Sequence, residues 1–166
     1  MTRTLARTAA VLVGVLLAIG ATGAASARTT TGRLIHGSSS SVQNYVDSDV
    51  CAPEGFSVSV HQVETVSYTV LLDAEGNFVH AVVHRTYEAD LSANGITLHE
   101  ADHWNEMYYA DGTSQTVGNT VHVTGPGGMV QLDAGRILFN PDGTVARISG
   151  PHPQFEGQTW CFALTP

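Results

Sequence analysis

The chain has 166 residues, and its 15 acidic residues outnumber seven basic residues, all arginine, to give a net charge of −8. An acidic surface repels phosphate backbones and anionic lipid headgroups, so neither nucleic-acid binding nor membrane insertion is expected. The length fits one domain with a substantial core, and the acid excess keeps an exported protein soluble.

The first 27 residues have the pattern of a secretory signal peptide. Arg3 and Arg7 precede the apolar run 9–19, and Ala25-Ser26-Ala27 offers a cleavage site between small residues. The apolar run is too short for a comfortable membrane span. The sequence therefore predicts a secreted, extracellular protein with a signal peptide over residues 1–27.

Two cysteines, Cys51 and Cys161, are the only ones in the chain. In an exported protein, two cysteines indicate one disulfide. A metal pair and two separate thiols are the alternatives. Both are less favoured, because the cysteines lie far apart in the sequence and form no C-x-x-C motif. We predict a disulfide between them.

The segment 28–44 is rich in Ser, Thr and Gly and predicts a flexible leader. A single domain is predicted over 45–166, where β-type runs alternate with turn sequences. Five turns separate six long strands, and shorter strands are expected near each cysteine. The predicted fold is an all-β, antiparallel up-and-down meander closed into a small barrel of about eight strands. A two-sheet sandwich is the alternative.

Three of the turns predict which side chains share a face. We take Asn94-Gly95 and Asp111-Gly112 as two-residue loops and 74–77 as a four-residue loop. The face predicted to be interior is mainly apolar: Val66, Tyr68, Val70, Leu72, Val79, Ala81, Val83, Tyr87, Leu91, Leu98, Trp104, Tyr108, Val117, Val121 and Val123. The predicted outer face is polar: Thr65, Ser67, Thr69, His80, His84, Thr86, Glu88, Asp90, His99, His103, Asn105, Ser114, Thr116, Thr120 and His122.

Histidines on the predicted outer face are candidate metal ligands. His84, His103 and His122 lie on neighbouring strands, and neutral imidazole binds Zn²⁺ or Cu²⁺. Residues four apart along a strand are roughly 13 Å apart, so only cross-strand partners could share an ion. The spacing matches no metal motif. Solvated surface histidines are the favoured interpretation, and no metal is predicted.

The predicted inner face also holds charged residues, which are rarely buried unless they are paired. Arg85 lies opposite Trp104, with Asp102 and Glu106 diagonal to it. Such a group forms either the polar wall of a ligand cavity or a structural ion-pair layer. The other polar residues assigned to this face are Glu64, Glu100 and Asn119. The candidate ligand-binding residues are Arg85, Tyr87, Asp102, Trp104, Glu106 and Tyr108.

Motifs of common enzyme and cofactor sites are missing from the sequence. It contains no G-x-S-x-G, no H-E-x-x-H, no phosphate-binding glycine loop and no calcium-binding loop pattern. The run "HEADH" at 99–103 falls in a predicted strand, not a helix. We therefore predict no cofactor.

In layout, residues 45–166 resemble the secreted small β-barrels of the calycin type, although the lipocalin G-x-W signature is missing. The signal peptide and the arginine-only basic set are similar to those of exported actinobacterial proteins. The resemblance implies a meander around an apolar cavity.

Three functions are open on these grounds. The first is a non-enzymatic protein that binds a small, mostly apolar ligand in its interior. The second is a cyclase or isomerase with Glu100 or Glu106 as general acid or base, because burial raises a carboxyl pKa. The third is an extracellular interaction or metal-binding protein that uses its acidic, histidine-bearing outer surface. The sequence does not indicate an oligomeric state.

Overall fold

The computed structural model describes residues 32–157 and 159–166, which form one antiparallel sheet. The predicted signal peptide lies outside the described residues. Each strand pairs with the next in chain order. The strands are β1 (Arg33–Asp47), β2 (Val58–Leu72), β3 (Phe78–Ala93), β4 (Ile96–Tyr109), β5 (Ser114–Gly125), β6 (Gly128–Phe139) and β7 (Val145–Ser149). Short 3-10 helices cover Ala52–Glu54, Pro153–Glu156 and Trp160–Leu164.

The predicted all-β meander is confirmed, with seven strands in place of about eight. Short 3-10 helices lie beside the two cysteines, where short strands were predicted. All seven strands belong to one sheet, so the two-sheet sandwich is wrong. Among the described residues, β1 pairs only with β2 and β7 only with β6, and no pairing closes the sheet into the predicted barrel.

Strand β1 corrects the prediction of a flexible leader for residues 33–44, and residues 28–31 of that leader lie outside the described residues. All fifteen residues of β1 pair with β2 in one unbroken register. The serine-rich composition suits this strand because its polar side chains bond across the pair. The Ser40 and Thr65 hydroxyls lie 3.2 Å apart. Gly37 lies under the Tyr68 ring, where an added Cβ would overlap the ring atoms. A composition rule for flexibility does not detect this fit between strands.

The β3–β4 turn is the one that the sequence predicted best. Asn94 and Gly95 form a two-residue loop with φ values of 53° and 78°, and Ala93 pairs with Ile96. Positive φ at both central positions is the requirement of a type I′ hairpin turn, which Asn-Gly meets at little cost. The register of β3 against β4 is as predicted along the whole hairpin.

The β4–β5 turn is one residue longer than predicted. Gly112, at φ 84°, donates its N–H to the Tyr109 carbonyl, and Tyr109 pairs across the loop with Thr113. The Asp111 carboxylate accepts the Thr113 N–H at 2.9 Å, which favours this wider loop. Glu106 therefore lies opposite Thr116, not Val117.

The changed register moves several residues to the other face. Thr116 pairs with the inner residue Glu106, and Ser114 pairs with the inner residue Tyr108, although both were predicted outside. A bulge near Thr120 then restores the predicted faces of Val121 and Val123. The residues whose predicted faces are wrong on β5 are Ser114, Thr116, Val117 and Asn119. Val79, predicted inside, is 36% exposed because Leu72 pairs with Phe78 instead.

The inner face of the sheet carries two apolar clusters. The larger cluster surrounds the disulfide and contains Cys51, Val58, Val60, Ala89, Leu91, Leu98, Val123, Cys161 and Leu164. The smaller cluster contains Val70, Leu72 and Ala81. The predicted bond between Cys51 and Cys161 is present, with the two Cα atoms 5.6 Å apart. A buried polar group lies along β3 and β4, on the same face as the two clusters.

Candidate functional site

Arg85 on β3 is buried and held by two carboxylates. Its side chain is 6% exposed, and Nη1 lies 2.7 Å from Oε1 of Glu64 on β2. Its Nε lies 3.1 Å from Oε1 of Glu106 on β4. Burial alone lowers the pKa of Arg85, but the charges of Glu106 and Glu64 outweigh burial and raise that pKa. The guanidinium is therefore charged and neutralised by its neighbours.

Glu106 is the centre of this polar group. It is 3% exposed, and the Trp104 indole Nε1 donates to its Oε1 at 2.9 Å. The Tyr108 hydroxyl donates to its Oε2 at 2.8 Å. These two donors occupy both carboxylate oxygens, and Arg85 lies beside them as the ion-pair partner. Glu106 was a candidate general acid or base, but both of its carboxylate oxygens are already bonded to protein groups, which leaves neither free for a substrate.

Trp104 and Glu106 lie beside Arg85 as predicted, but Glu64 takes the place of the third predicted partner, Asp102. Trp104 lies directly opposite Arg85, as predicted, and contacts Glu106 through its N–H. Asp102, the other predicted partner, accepts the backbone N–H of His122 at 2.6 Å. That contact lies at the β5 bulge, where the side chain of Asp102 replaces a missing backbone partner. Glu64 takes its place beside Arg85.

Glu100 and Asp102 form a second acidic pair on β4. Burial is the largest cause that raises the pKa of Glu100 well above its ordinary value, and the charge of Asp102 adds to it. Burial also raises the pKa of Asp102 to about 6, although the His122 N–H lowers it. Burial penalises the charged form of both carboxyl groups, so both pKa values lie above the ordinary range.

Two tyrosines and a glutamine extend the polar group towards β1. The hydroxyls of Tyr45 and Tyr87 both donate to Oε1 of Gln62 at 3.1 Å. Burial and the nearby charge of Glu100 raise the pKa of Tyr87. The Tyr87 phenol therefore stays un-ionised, and both hydroxyls act as hydrogen-bond donors to Gln62.

The sequence reasoning missed Asp133 on β6, which is 0% exposed. Its carboxylate accepts from the Gln131 side chain at 3.1 Å and from the Gln154 backbone N–H at 3.2 Å. Its charge also raises the pKa of Asp102. The alternation of Gln131 and Asp133 was a signal for one shared face. The sequence did not show which face of the sheet this was, because the register of β6 shifts between its pairs with Val123 and Thr124.

The predicted metal candidates lie on the outer face and are not brought together. The ring of His84 bonds the Asn105 side chain. His103 lies opposite Asn119 on β5, and His122 opposite Leu132 on β6. In the part of the chain that the structure describes, the one cluster of three close ligand atoms involves Cys51 and Cys161. Those two sulfurs form the disulfide.

A shallow depression of about 420 Å³ lies near the end of the β1–β2–β3 ladder. Tyr45 and Val60 contribute to its wall from the inner face. Most of its lining comes from outer-face residues: Asn44, Val46, Ser59, His61, Asp90 and Ser92. None of the predicted ligand-binding residues lines this depression.

No protein-family model, curated protein or solved structure matches this chain. Over the described residues, no helix has the length and apolar character to cross a membrane.

Proposed function

We propose that the inner face of the sheet binds a small, mostly apolar ligand that carries a cationic group. The observation that carries the proposal is the balance of charge on this face. One guanidinium, that of Arg85, stands among five carboxyl groups. These carboxyl groups belong to Glu64, Glu100, Asp102, Glu106 and Asp133.

An anionic ligand fits this face poorly. Arg85 is the one buried arginine in the described part of the chain, and Glu64 and Glu106 already neutralise it. A ligand anion would have to displace a carboxylate at 2.7 Å and would then remain beside it. Like charges at that distance repel strongly in a partly buried setting. The site therefore selects against carboxylate, phosphate and sulfate groups.

A cationic ligand has both a charge partner and an apolar surface to contact. Glu64 is the more exposed of the two carboxylates beside Arg85, with 27% of its side chain exposed. Trp104, Tyr87 and Tyr108 are each partly exposed on the same face. Aromatic faces attract ammonium groups within about 6 Å of the ring centre. The apolar clusters at either side suit the rest of the ligand.

Calorimetric titration with a matched pair of probes tests this proposal. The probes are a naphthylmethyl-trimethylammonium cation and a naphthylacetate anion, which share an aromatic ring and differ in charge. We expect the protein to bind the cation at least tenfold more tightly. The variant Glu64→Gln releases Arg85 from one carboxylate, so it should lose the cation preference. Glu88→Gln, an exposed outer-face change on β3, is the matched control and should behave as the unmodified protein. Equal binding of both probes would contradict the proposal.

An enzymatic role is the second candidate, and the Glu100–Asp102 pair favours it. Burial raises the pKa of both carboxyl groups, and an acid–base catalyst of isomerisation needs a carboxyl group with a raised pKa. A bound ketone or enol ether would then exchange carbon-bound hydrogen with solvent. We expect deuterium uptake from D₂O into such a ligand to be lost in Glu100→Gln while binding persists. The same uptake in both proteins would exclude Glu100 as the catalyst.

Export of this protein to an oxidising compartment is also part of the proposal. The Cys51–Cys161 disulfide supports it, because such bonds persist outside the reducing cytosol. Amino-terminal sequencing of the protein recovered from the culture medium of its host should begin at Arg28. Recovery of the chain only inside the cells, with Met1 retained, would contradict export.

A further inference from the structure

Strand β1 is an edge strand of unusual regularity. It runs for fifteen residues and pairs with β2 without a single bulge. In the ranges that the structure describes, no strand pairs with its other edge. Every second residue of an edge strand directs its backbone N–H and C=O away from the sheet. Strand β1 therefore presents a long, straight row of backbone donors and acceptors.

The usual protections of an edge strand are missing from β1. Natural sheets blunt their edges with lysine, proline, bulges or short strands. This strand contains no lysine and no proline, and its charged residues are confined to its two ends, Arg33 and Asp47. Three of its side chains are among the most exposed apolar groups described: Leu34 at 57%, Val42 at 61% and Val46 at 66%. All three lie on the outer face of the sheet.

We propose that β1 pairs antiparallel with β1 of a second copy of this chain, about a two-fold axis at Ser40. In this register Arg33 lies opposite Asp47 of the partner subunit, so opposite charges meet at both ends. Leu34 lies opposite Val46 of the partner subunit, which covers two exposed apolar side chains with each other. The strand is self-complementary in this register, as a two-fold interface requires.

The backbone geometry fits the same register. Residues that lie opposite each other are both even-numbered or both odd-numbered, so they point their N–H and C=O groups in the same way. Whichever alternate set faces outward, its groups therefore find partners across the axis. Fifteen paired residues would form roughly 14 backbone hydrogen bonds. The product is one continuous sheet of two meanders.

A second copy suits this edge better than the strand at the other end of the same sheet. Strand β7 has five residues, so pairing with it would cover only a third of β1. It would also leave the apolar groups at one end of β1 exposed. Pairing through one strand from each subunit buries a small surface, so the dimer should dissociate on dilution.

A charge-pair design tests both the dimer and its register. Ser38 lies opposite Val42 of the partner subunit, and both are exposed. Within one chain these residues are roughly 13 Å apart along the strand and do not pair with each other. Ser38→Lys/Val42→Lys places lysines opposite lysines at two positions of the interface. Ser38→Glu/Val42→Lys places glutamates opposite lysines at the same two positions.

Sedimentation velocity would be measured on the protein in the form that its host produces, from micromolar to sub-millimolar concentration. We expect twice the monomer mass at the high end for the unmodified protein and for Ser38→Glu/Val42→Lys. The Lys/Lys variant should weaken association at least tenfold. Met129→Lys, which changes another exposed apolar residue on β6, is the matched control and should still dimerise.

Three results would overturn the proposal. The unmodified protein could remain monomeric at every concentration. The Lys/Lys variant could associate as well as the Glu/Lys variant, which would place the contact elsewhere, including a β1–β7 pairing between copies. The Met129→Lys control could lose the dimer as completely as the Lys/Lys variant. Circular dichroism spectra that match across the set would show that all four proteins are folded.

Discussion

Replacement of Arg85 by leucine should destabilise the fold strongly. The change removes the guanidinium that compensates Glu106, which is 3% exposed, and leaves that carboxylate buried without a cation. Loss of one partner from a buried ion pair costs about 3–5 kcal/mol. Trp104 and Tyr108 still donate to Glu106, and Glu64 can hydrate because it is 27% exposed. The loss should therefore be near the lower end, about 3 kcal/mol.

Chemical and thermal unfolding followed by circular dichroism would measure this loss. About 3 kcal/mol corresponds to a fall in melting temperature of roughly 10 °C for a domain of this size. Arg85→Leu/Glu106→Gln removes the stranded charge as well, so it should recover about 1–2 kcal/mol of the loss. Arg136→Leu changes an exposed arginine on β6 and should stay within about 0.5 kcal/mol of the unmodified protein. If Arg85→Leu is as mild as this control, Arg85 is not the buried centre of an ion-pair group.

Three further predictions follow from the fold and the acidic pair. Gly37→Ala should lower the free energy of unfolding by about 1–3 kcal/mol, because the added Cβ overlaps a tyrosine ring. The Cβ of the control Gly127→Ala meets no atom within 4 Å, so this variant should keep the stability of the unmodified protein. Equal effects of the two changes would contradict the placement of β1. Reduction of the disulfide, which spans 110 residues, should cost about 4–5 kcal/mol in urea unfolding, and unfolded, unreduced protein should show no titratable thiol. Folding raises the pKa of Asp102 from 3.8 to about 6, so between these values the folded state binds more protons than the unfolded state. The free energy of unfolding should therefore fall by on the order of 2 kcal/mol as pH rises from 4 to 7. Asp102→Asn should flatten this dependence, and a stability that rises over the same window would contradict the raised pKa of Asp102.

The sequence predicted the parts of the fold that local chemistry determines. Asn94-Gly95 requires a two-residue turn, and this turn alone determines the faces of β3 and β4. The inward position of Arg85 opposite Trp104 follows from that register. The disulfide followed from the cysteine count, because no other cysteine was available as a partner.

The remaining features depend on contacts that no single segment encodes. Asp-Gly at 111–112 is compatible with loops of two or three residues, and the Asp111–Thr113 hydrogen bond decides between them. The bulge near Thr120 then changes the faces again, so alternation along β5 could not place Asp133 on β6. Strand β1 was missed because its polar residues are stabilised by their partners on β2 and not by their own pattern.

Fluorescence of Trp104 tests the central claim, that the inner face binds a cationic apolar ligand, most directly. Trp160→Phe leaves Trp104 as the one tryptophan in the chain, beside Arg85 and in contact with Glu106. Titration with the naphthylmethyl-trimethylammonium cation should change the emission of Trp104 in a saturable way, and the naphthylacetate anion should leave it unchanged at the same concentrations. Binding of the cation with no change in Trp104 emission would place the ligand elsewhere. An equal response to both probes would show that the acidic inner face does not select its ligand by charge.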